Sequence, residues 1–411
     1  MRRLTLVLTI ALAVLAFRAQ TAPAPAPTVS SRGSAEITAY LEAAVARGDI
    51  PGVVALVTNR DRVIYHEAFG QRNEDKKLVM SKDTVFNIAS MTKPVTSLAV
   101  MMLVEEGKLR LDDPASKYLP ELAKLPVLTK VNLEAETYET RPATRPITIR
   151  HLLTHTSGIG YTFSDPGLAM VQRKTKAADL ELPLVHEPGE RWTYGASTRV
   201  LGDIIVKITG RPLDEYLTAR VLKPLGMTDT AYAVPAEKVD RVVTIHTRMG
   251  PRWIEQRRVD SPPVTVRGDG GLYSTAADYA MFMRLLLNEG AAGSTRLTMP
   301  ATIRDMRRNQ IGGLVVPPQP TANPGLSKPF PLGAGKDKWG LGFQLTTTAS
   351  ADSRSVGSYA WAGIYNTEFW VDPQKQIGAT LLMQVLPFYD DKAIEILRGF
   401  EQRVYRALDS E

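Results

Sequence analysis

Residues 87–94 read Asn87-Ile88-Ala89-Ser90-Met91-Thr92-Lys93-Pro94, and they stand between a short apolar run and a long segment of helix formers. The helix formers continue to residue 106, where Gly107 provides a typical helix stop. This pattern predicts a helix that begins at Ser90, with Lys93 one turn further along the same face. A hydroxyl beside an amine, at the positive end of a helix dipole, can form a nucleophile with its own base.

The composition limits the classes of function that the chain can have. It has 411 residues, of which 44% are hydrophobic, and a net charge of +7. There is no cysteine, which excludes disulfides, cysteine nucleophiles and thiolate metal sites. The basic residues are scattered, and the densest patch, residues 304–308, also contains an acid. We therefore expect no nucleic-acid partner, and the composition leaves the oligomeric state open.

The N-terminal residues have the pattern of an export signal. A pair of arginines precedes a mostly apolar run over residues 4–17, which is too short to span a bilayer comfortably. We predict a signal peptide over residues 1–22 and export to the periplasm or the medium, with no stable membrane span after cleavage. An uncleaved anchor is the alternative. Residues 23–33 are rich in proline and predict an extended linker, and Ser34 is the predicted N-cap of the first helix.

The remaining residues, 34–411, predict one α+β domain. Strand patterns occupy both ends of this stretch, so the sheet and its flanking helices are expected from about residues 34–89 and 339–411. Residues 90–290 have a mainly helical pattern and form the predicted inserted region. Residues 311–338 are rich in proline and glycine without any period, and we expect this long loop to border a binding site.

Other catalytic systems have little support in the sequence. There is no Gly-x-Ser-x-Gly and no His-Glu-x-x-His, whereas Ser90-x-x-Lys93 is the single Ser-x-x-Lys in the chain. His151 and His155 lie four residues apart and could share a metal, but no acidic residue lies near them in sequence. Packed or capping histidines are the favoured interpretation, so we expect neither a metal nor a cofactor.

Several further motifs carry a resemblance to a known family. Together with the Ser90 stretch, the chain resembles the serine β-lactamase and penicillin-binding superfamily, in the class C β-lactamase-like branch that includes the family VIII carboxylesterases. The motifs are Ile147-Thr-Ile-Arg-His-Leu-Leu-Thr-His-Thr-Ser-Gly158, Pro188-Gly-Glu-Arg-Trp-Thr-Tyr194, Pro224-Leu-Gly-Met-Thr-Asp-Thr230, Gly270-Gly-Leu-Tyr-Ser-Thr275, Trp361-Ala-Gly363 and Phe369-Trp-Val-Asp-Pro373. The resemblance implies a β-lactamase/transpeptidase-like fold with the site in a cleft between an antiparallel sheet and the helical region.

The resemblance also implies roles for individual residues. Ser90 corresponds to the acylated nucleophile, Lys93 to the amine that hydrogen-bonds it, and Tyr194 to the partner that takes and returns the proton. Neither a free phenol nor a free amine is a good base at neutral pH, and the sequence leaves open which of the two acts. The backbone N–H groups of Ser90 and Ile364 correspond to the oxyanion hole.

Two departures from the β-lactamase motifs bear on the substrate. Ala196 stands where those enzymes have asparagine, and Trp361 stands where they have lysine, so two polar groups for β-lactam recognition are lost. We expect Ala196, Trp361, Ala362 and Gly363 to contact a small-molecule ester. The sequence thus predicts an exported serine hydrolase that cleaves carboxylic esters through an acyl-enzyme on Ser90. The alternatives are a β-lactamase or D-amino-acid peptidase on the same scaffold, and a non-catalytic cell-wall binding protein.

Overall fold

The computed structural model of the chain describes residues 26–256 and 263–408, so the predicted signal peptide over residues 1–22 lies outside the described part. The helices in this part are α1 (Ser31–Ala46), α2 (Thr92–Glu105), α3 (Ile149–Leu153), α4 (Pro166–Thr175), α5 (Ser197–Thr209), α6 (Leu213–Leu217), α7 (Ala276–Leu287), α8 (Pro300–Met306) and α9 (Asp391–Ala407). In residues 26–256 and 263–408, no helix combines the length and hydropathy that crossing a bilayer requires.

The strands form one large sheet and several small ones. They are β1 (Gly52–Asn59), β2 (Val63–Asn73), β3 (Leu78–Val79), β4 (Phe86–Asn87), β5 (Pro126–Asn132), β6 (Thr137–Pro142), β7 (His246–Met249), β8 (Arg252–Glu255), β9 (Tyr273–Ser274), β10 (Ala291–Ala292), β11 (Thr295–Arg296), β12 (Lys338–Trp339), β13 (Gln344–Leu345), β14 (Tyr359–Gly363), β15 (Thr367–Asp372), β16 (Ile377–Leu382) and β17 (Val385–Leu386). The large sheet is antiparallel in the order β12-β13-β14-β15-β16-β1-β2-β3.

The centre of this sheet joins the two ends of the described chain. Strand β1 pairs with β16, with Val54 opposite Leu382 and Asn59 opposite Ile377. Every residue of β1 is buried, because helices cover both faces of the sheet. The expected α+β fold, with an antiparallel sheet drawn from both chain ends and a mostly helical insertion, is confirmed.

Each face of the sheet has its own core. On one face, α1 and α9 pack together, and their buried apolar residues include Ile37, Leu41, Phe400 and Val404. On the other face, α7 packs against β1 and β16 and belongs to the larger core, which also includes α2 and α5. Side chains alternate across a strand, so a strand such as β14 presents different residues to each core.

The predicted boundary between linker and domain is wrong by a few residues. Helix α1 begins at Ser31 rather than after Ser34, and Ser30 is its N-cap, whose Oγ accepts a hydrogen bond from Gly33 N at 3.1 Å. The backbone N–H of Ser30 also donates to Ala407 O at 3.0 Å. The end of the predicted linker, residues 23–33, is therefore held against α9, a contact between distant parts of the chain that no local pattern indicates.

The inserted region contains strands as well as helices, including the hairpin β7–β8. Residues 121–145 have no clear period, yet they contain the antiparallel hairpin β5–β6. Most residues of this hairpin are exposed, so its strands lack the alternation of apolar and polar residues that would identify them.

Candidate active site

The nucleophile candidate lies in a tight turn. Residues Ala89–Met91 form a single 3₁₀ turn, and α2 begins only at Thr92, so Ser90 precedes the helix instead of starting it as predicted. Ala89 has a positive φ of 44°, an unfavourable conformation for a residue with a side chain. Its N–H donates to Asn87 Oδ1 at 3.0 Å. This local strain holds Ser90 at the mouth of a cavity, as is common at functional sites.

Lys93 is buried and fully hydrogen-bonded. Its side chain has lost almost all contact with solvent, at 2% exposure. The Nζ donates to Ser90 Oγ at 3.0 Å, to Tyr161 OH at 3.1 Å and to the backbone oxygen of Asp269 at 2.8 Å. These acceptors match the three donors of an ammonium group. The hydrogen bond to Ser90 is the contact that the sequence led us to expect.

Tyr161 and Asp269 are members of this network that sequence reasoning missed. The Tyr161 hydroxyl donates a short hydrogen bond to Asp269 Oδ2, and Arg267 Nε forms an ion pair with Asp269 Oδ1 at 3.2 Å. Burial, followed by the Asp269 charge, raises the pKa of Tyr161 well above its usual value, so this phenol stays neutral. Tyr161 follows the matched 147–158 motif and Asp269 immediately precedes the 270–275 motif, so their positions beside known motifs were the available signal.

Tyr194 is placed differently from the expectation. Its hydroxyl accepts a hydrogen bond from Trp361 Nε1 at 3.2 Å, and its backbone N–H donates to Gln319 Oε1 at 3.0 Å. Lys93 Nζ lies 4.8 Å from the centre of the phenol ring. In the described part of the chain, no hydrogen bond joins Tyr194 to Ser90 or Lys93, and the partner of its hydroxyl is the indole on β14.

A glycine brings the two tyrosines together. A Cβ on Gly195 would lie 1.9 Å from Ile159 O, so only glycine permits this approach of the two backbone segments. The rings of Tyr161 and Tyr194 consequently meet edge to face, with centroids 5.4 Å apart. Both phenols therefore border the space in front of Ser90.

The end of β14 packs closely against the Ser90 turn. A Cβ on Gly363 would lie 2.4 Å from Ile88 O, and Thr367 Oγ1 donates to the same oxygen at 3.4 Å. This contact brings Ile364, the residue after β14, to the cavity that Ser90 lines. The two predicted oxyanion positions, Ser90 and Ile364, thus border one cavity.

The cavity has a volume of about 390 Å³, and aromatic residues form much of its wall. Of the residues predicted to contact substrate, Ala362 lines the cavity, whereas Trp361, Gly363 and Ala196 do not. Trp361 instead supports Tyr194 from behind. Phe330 of the long loop also lines the cavity, as expected of residues 311–338. The aromatic residues are Tyr161, Phe163, Tyr194, Phe330, Tyr365 and Phe388.

His151 and His155 make packing and capping contacts. The ring of His155 packs against Trp192, Tyr194 and Trp339, and burial, followed by the Lys93 charge, holds its pKa well below the usual value. His151 Nδ1 accepts from Thr148 N at 3.3 Å and completes a cap on α3. Among residues 26–256 and 263–408, no group of three His, Cys, Asp or Glu side chains is placed to hold a metal ion.

A buried lysine hydrogen-bonded to a serine that follows a strained residue, in a cleft between an antiparallel sheet and a helical region, defines a class: serine hydrolases and acyltransferases that work through an acyl-enzyme. The chain belongs to the β-lactamase family, whose model matches residues 37–402. The resemblance drawn from the motifs is thereby confirmed, and the protein is an enzyme of the serine hydrolase type.

Known proteins similar to the chain include esterases and acyltransferases. It is 35% identical to protein Rv1367c of Mycobacterium tuberculosis (strain ATCC 25618 / H37Rv), over 88% of this chain and 96% of that protein. It is 29% identical to the lovastatin esterase of Penicillium rubens, over 89% of this chain and 96% of that protein. Among solved structures, the chain is similar to the LovD6 mutant of simvastatin synthase (LovD) from Aspergillus terreus. The TM-score is 0.79 at 25% sequence identity, over 92% of this chain and 95% of that one.

Proposed function

We propose that the enzyme is an exported hydrolase that cleaves carboxylic esters through an acyl-enzyme on Ser90. The observation that carries the proposal is the hydrogen bond of 3.0 Å between Lys93 Nζ and Ser90 Oγ beside an aromatic cavity. The similarity to an esterase over most of both chains supports the reaction type. The N-terminal sequence pattern alone supports export.

In the reactive state Lys93 would be the neutral amine, with its lone pair towards Ser90 Oγ in place of one N–H. Ser90 Oγ would then attack the ester carbonyl and pass its proton to this amine. The oxyanion would accept hydrogen bonds from the backbone N–H groups of Ser90 and Ile364, and one such donor is worth about 3–4 kcal/mol. Collapse of the intermediate breaks the bond to the alkoxide, which leaves as the alcohol with that proton. Water then repeats the sequence on the acyl-enzyme and releases the acid.

The two tyrosines would have different parts in this sequence. Tyr161 is held neutral and donates to Asp269, so we assign it the positioning of Lys93 rather than the removal of a proton. Tyr194 accepts from Trp361 and keeps its own hydroxyl proton, which would hydrogen-bond the leaving oxygen while Lys93 returns the serine proton to that oxygen. Lys93 is favoured as the base because, among the described residues, its Nζ is the side-chain group that is hydrogen-bonded to Ser90 Oγ.

The wall of the cavity favours esters over β-lactams. Its aromatic residues suit an apolar acyl or alcohol group. The third motif has Trp361 in place of the lysine that would pair with a β-lactam carboxylate, and its indole nitrogen is occupied by Tyr194. Among the described residues that line the cavity, the cationic side chain is Arg267, and its charge is already paired with Asp269.

A panel of p-nitrophenyl esters of graded acyl length, measured beside nitrocefin and a D-Ala-D-Ala peptide, tests the proposal. We expect the esters to be turned over faster than either competitor, and Ser90→Ala to abolish turnover. Faster turnover of nitrocefin or of the peptide would instead favour the β-lactamase or peptidase alternative. Failure of a fluorophosphonate to label Ser90 in the folded protein would favour a non-catalytic binding protein.

Acyl transfer to an alcohol other than water is the second candidate. The similarity to simvastatin synthase LovD favours it, and the same acyl-enzyme would serve both reactions. Adding a primary alcohol to the ester assay distinguishes the two candidates. A transferase forms the new ester at the expense of free acid, whereas a hydrolase keeps producing the acid.

A further inference from the structure

A second cavity lies on the other face of β14, between the sheet and α9. It has a volume of about 320 Å³, at the lower end of the range for small-molecule sites, which is about 300–1,000 Å³. Ala360 and Glu368 line it from the sheet, and Leu397 and Glu401 line it from α9. Ala362 borders both this cavity and the one in front of Ser90, so the strand itself separates them.

Glu368 is the unusual residue of this second cavity. It stands on β15 opposite Ala362, and it is only 6% exposed. Its Oε1 is buried and has no hydrogen-bond partner among the described residues. Burial raises the pKa of Glu368 to about 8, against the lowering effect of the Arg354 charge, and the Glu401 charge raises it further. A buried acceptor without a donor is costly, and native structures contain few of them.

The charged neighbours of Glu368 already have partners. Arg354 Nε donates to Glu401 Oε2 at 3.0 Å, and its guanidinium lies 4.8 Å from the ring centre of Trp370. Asp337 accepts from Gln344 Nε2 at 2.7 Å and from Thr347 N at 3.1 Å.

Two further groups stand at the rim. The Tyr389 hydroxyl accepts from Leu332 N at 2.9 Å, and Arg398 is an exposed residue of α9. The lining thus holds the acids Asp337, Asp352, Glu368 and Glu401 against the bases Arg354 and Arg398, and Asp352 is paired with Arg406. The group that lacks a partner is an acid, so the cavity is suited to a hydrogen-bond donor that carries positive charge.

We propose that this cavity is a second binding site, for a small organic ammonium compound whose nitrogen donates to Glu368. Alanine and leucine side chains, Ala360, Leu332 and Leu397, would contact its carbon atoms. An ammonium suits the site better than a metal ion, because no group of three ligating side chains is placed to hold a metal within residues 26–256 and 263–408. The site is independent of the ester-cleaving reaction proposed for Ser90.

Calorimetric titration with n-butylammonium, and with 1-butanol as a neutral match, tests the site. We expect saturable binding of the ammonium at about pH 9, where Glu368 is ionised, and weaker binding as the pH falls below about 8. Glu368→Gln keeps the shape and removes the charge, and should weaken ammonium binding at least about tenfold, as expected for one charge-assisted hydrogen bond. The affinity for 1-butanol should stay the same.

Two more variants make the test specific. Glu395→Gln changes an exposed acid of α9 that pairs with Lys392, and should bind as the wild type does. Ala360→Met fills the cavity without touching a charge, and should abolish binding of both probes. Equal ammonium affinity in wild type and Glu368→Gln would overturn the proposal. So would binding that survives Ala360→Met in a folded protein, or the absence of saturable ammonium binding to the wild type.

Discussion

The two cavities on either face of β14 each contain a buried ionisable side chain, and they differ in how that side chain is paired. In front, Lys93 uses all three donors on Ser90, Tyr161 and Asp269. Behind, Glu368 has an oxygen without a partner. The front site is organised before any substrate arrives, as acyl transfer requires. The rear site has an acceptor with which the proposed ammonium ligand would pair.

The largest expected effect concerns the front cavity. Ser90→Ala removes the nucleophile, and we expect kcat for p-nitrophenyl butyrate to fall by at least about 10⁴-fold. Because the strand separates the two sites, n-butylammonium should still bind the variant as it binds the wild type. Residual hydrolysis within about tenfold of wild type would contradict the role of Ser90, and loss of ammonium binding would contradict the separation of the sites.

The next effect concerns the rear cavity and is one of stability. Folded Glu368 keeps its proton up to about pH 8, whereas the unfolded chain releases it near the ordinary value of 4.5. Between these values unfolding releases a proton, so the free energy of unfolding falls as the pH rises. At about 1.4 kcal/mol per pKa unit, the loss is on the order of 5 kcal/mol. Glu368→Gln has no carboxyl group at this position, so its free energy of unfolding should not show this fall with pH.

Denaturant unfolding of the wild type and Glu368→Gln at about pH 5, 7 and 9 measures that difference. Glu395→Gln serves as the matched control, since an exposed acid of α9 should change stability by less than about 0.5 kcal/mol. A constant difference between wild type and Glu368→Gln at all three pH values would mean that Glu368 titrates normally.

Tyr161→Phe gives a smaller effect on the front site. It removes one acceptor of Lys93 and the donor to Asp269, and we expect kcat/KM to fall about 10- to 100-fold with KM little changed. A loss as complete as that of Ser90→Ala would give Tyr161 a direct part in the chemistry.

The smallest expected effect concerns the long loop. Phe330 packs edge to face on Tyr194, with centroids 5.6 Å apart, and lines the front cavity. Phe330→Ala should enlarge the cavity and shift kcat/KM by about 3- to 10-fold towards longer acyl chains. Val315→Ala, at an exposed position in the same loop, is the control. If Phe330→Ala leaves the preference for acyl-chain length unchanged, the acyl group does not contact Phe330.

Local patterns in the sequence were enough to predict much of the fold. Strands β1 and β14 lie where short apolar runs bounded by turn residues predict buried strands, and helix α9 lies where the apolar periodicity predicts one apolar helix face. The hairpin β5–β6 was missed because it is mostly exposed. The start of α1 was misplaced because Ser30 is fixed by a contact with Ala407.

The candidate site divides in the same way. The Ser90–Lys93 contact is local, since one helical turn separates the residues, and the sequence predicted it. The partners of Tyr194 and the Tyr161–Asp269 pair depend on contacts between segments far apart in the chain, which periodicity does not report. Glu368 lies in an ordinary strand pattern, and only its burial without a partner distinguishes it.

The pairing of β1 with β16 also sets the order in which the enzyme can be built. Val54 cannot meet Leu382 until nearly the whole chain has left the ribosome, and closing so long a loop is slow and entropically costly. Until then one edge of the mostly apolar strand β1 has no partner, and such an edge promotes aggregation. The nascent chain would therefore need protection over most of its synthesis, although the finished sheet is covered by helices on both faces.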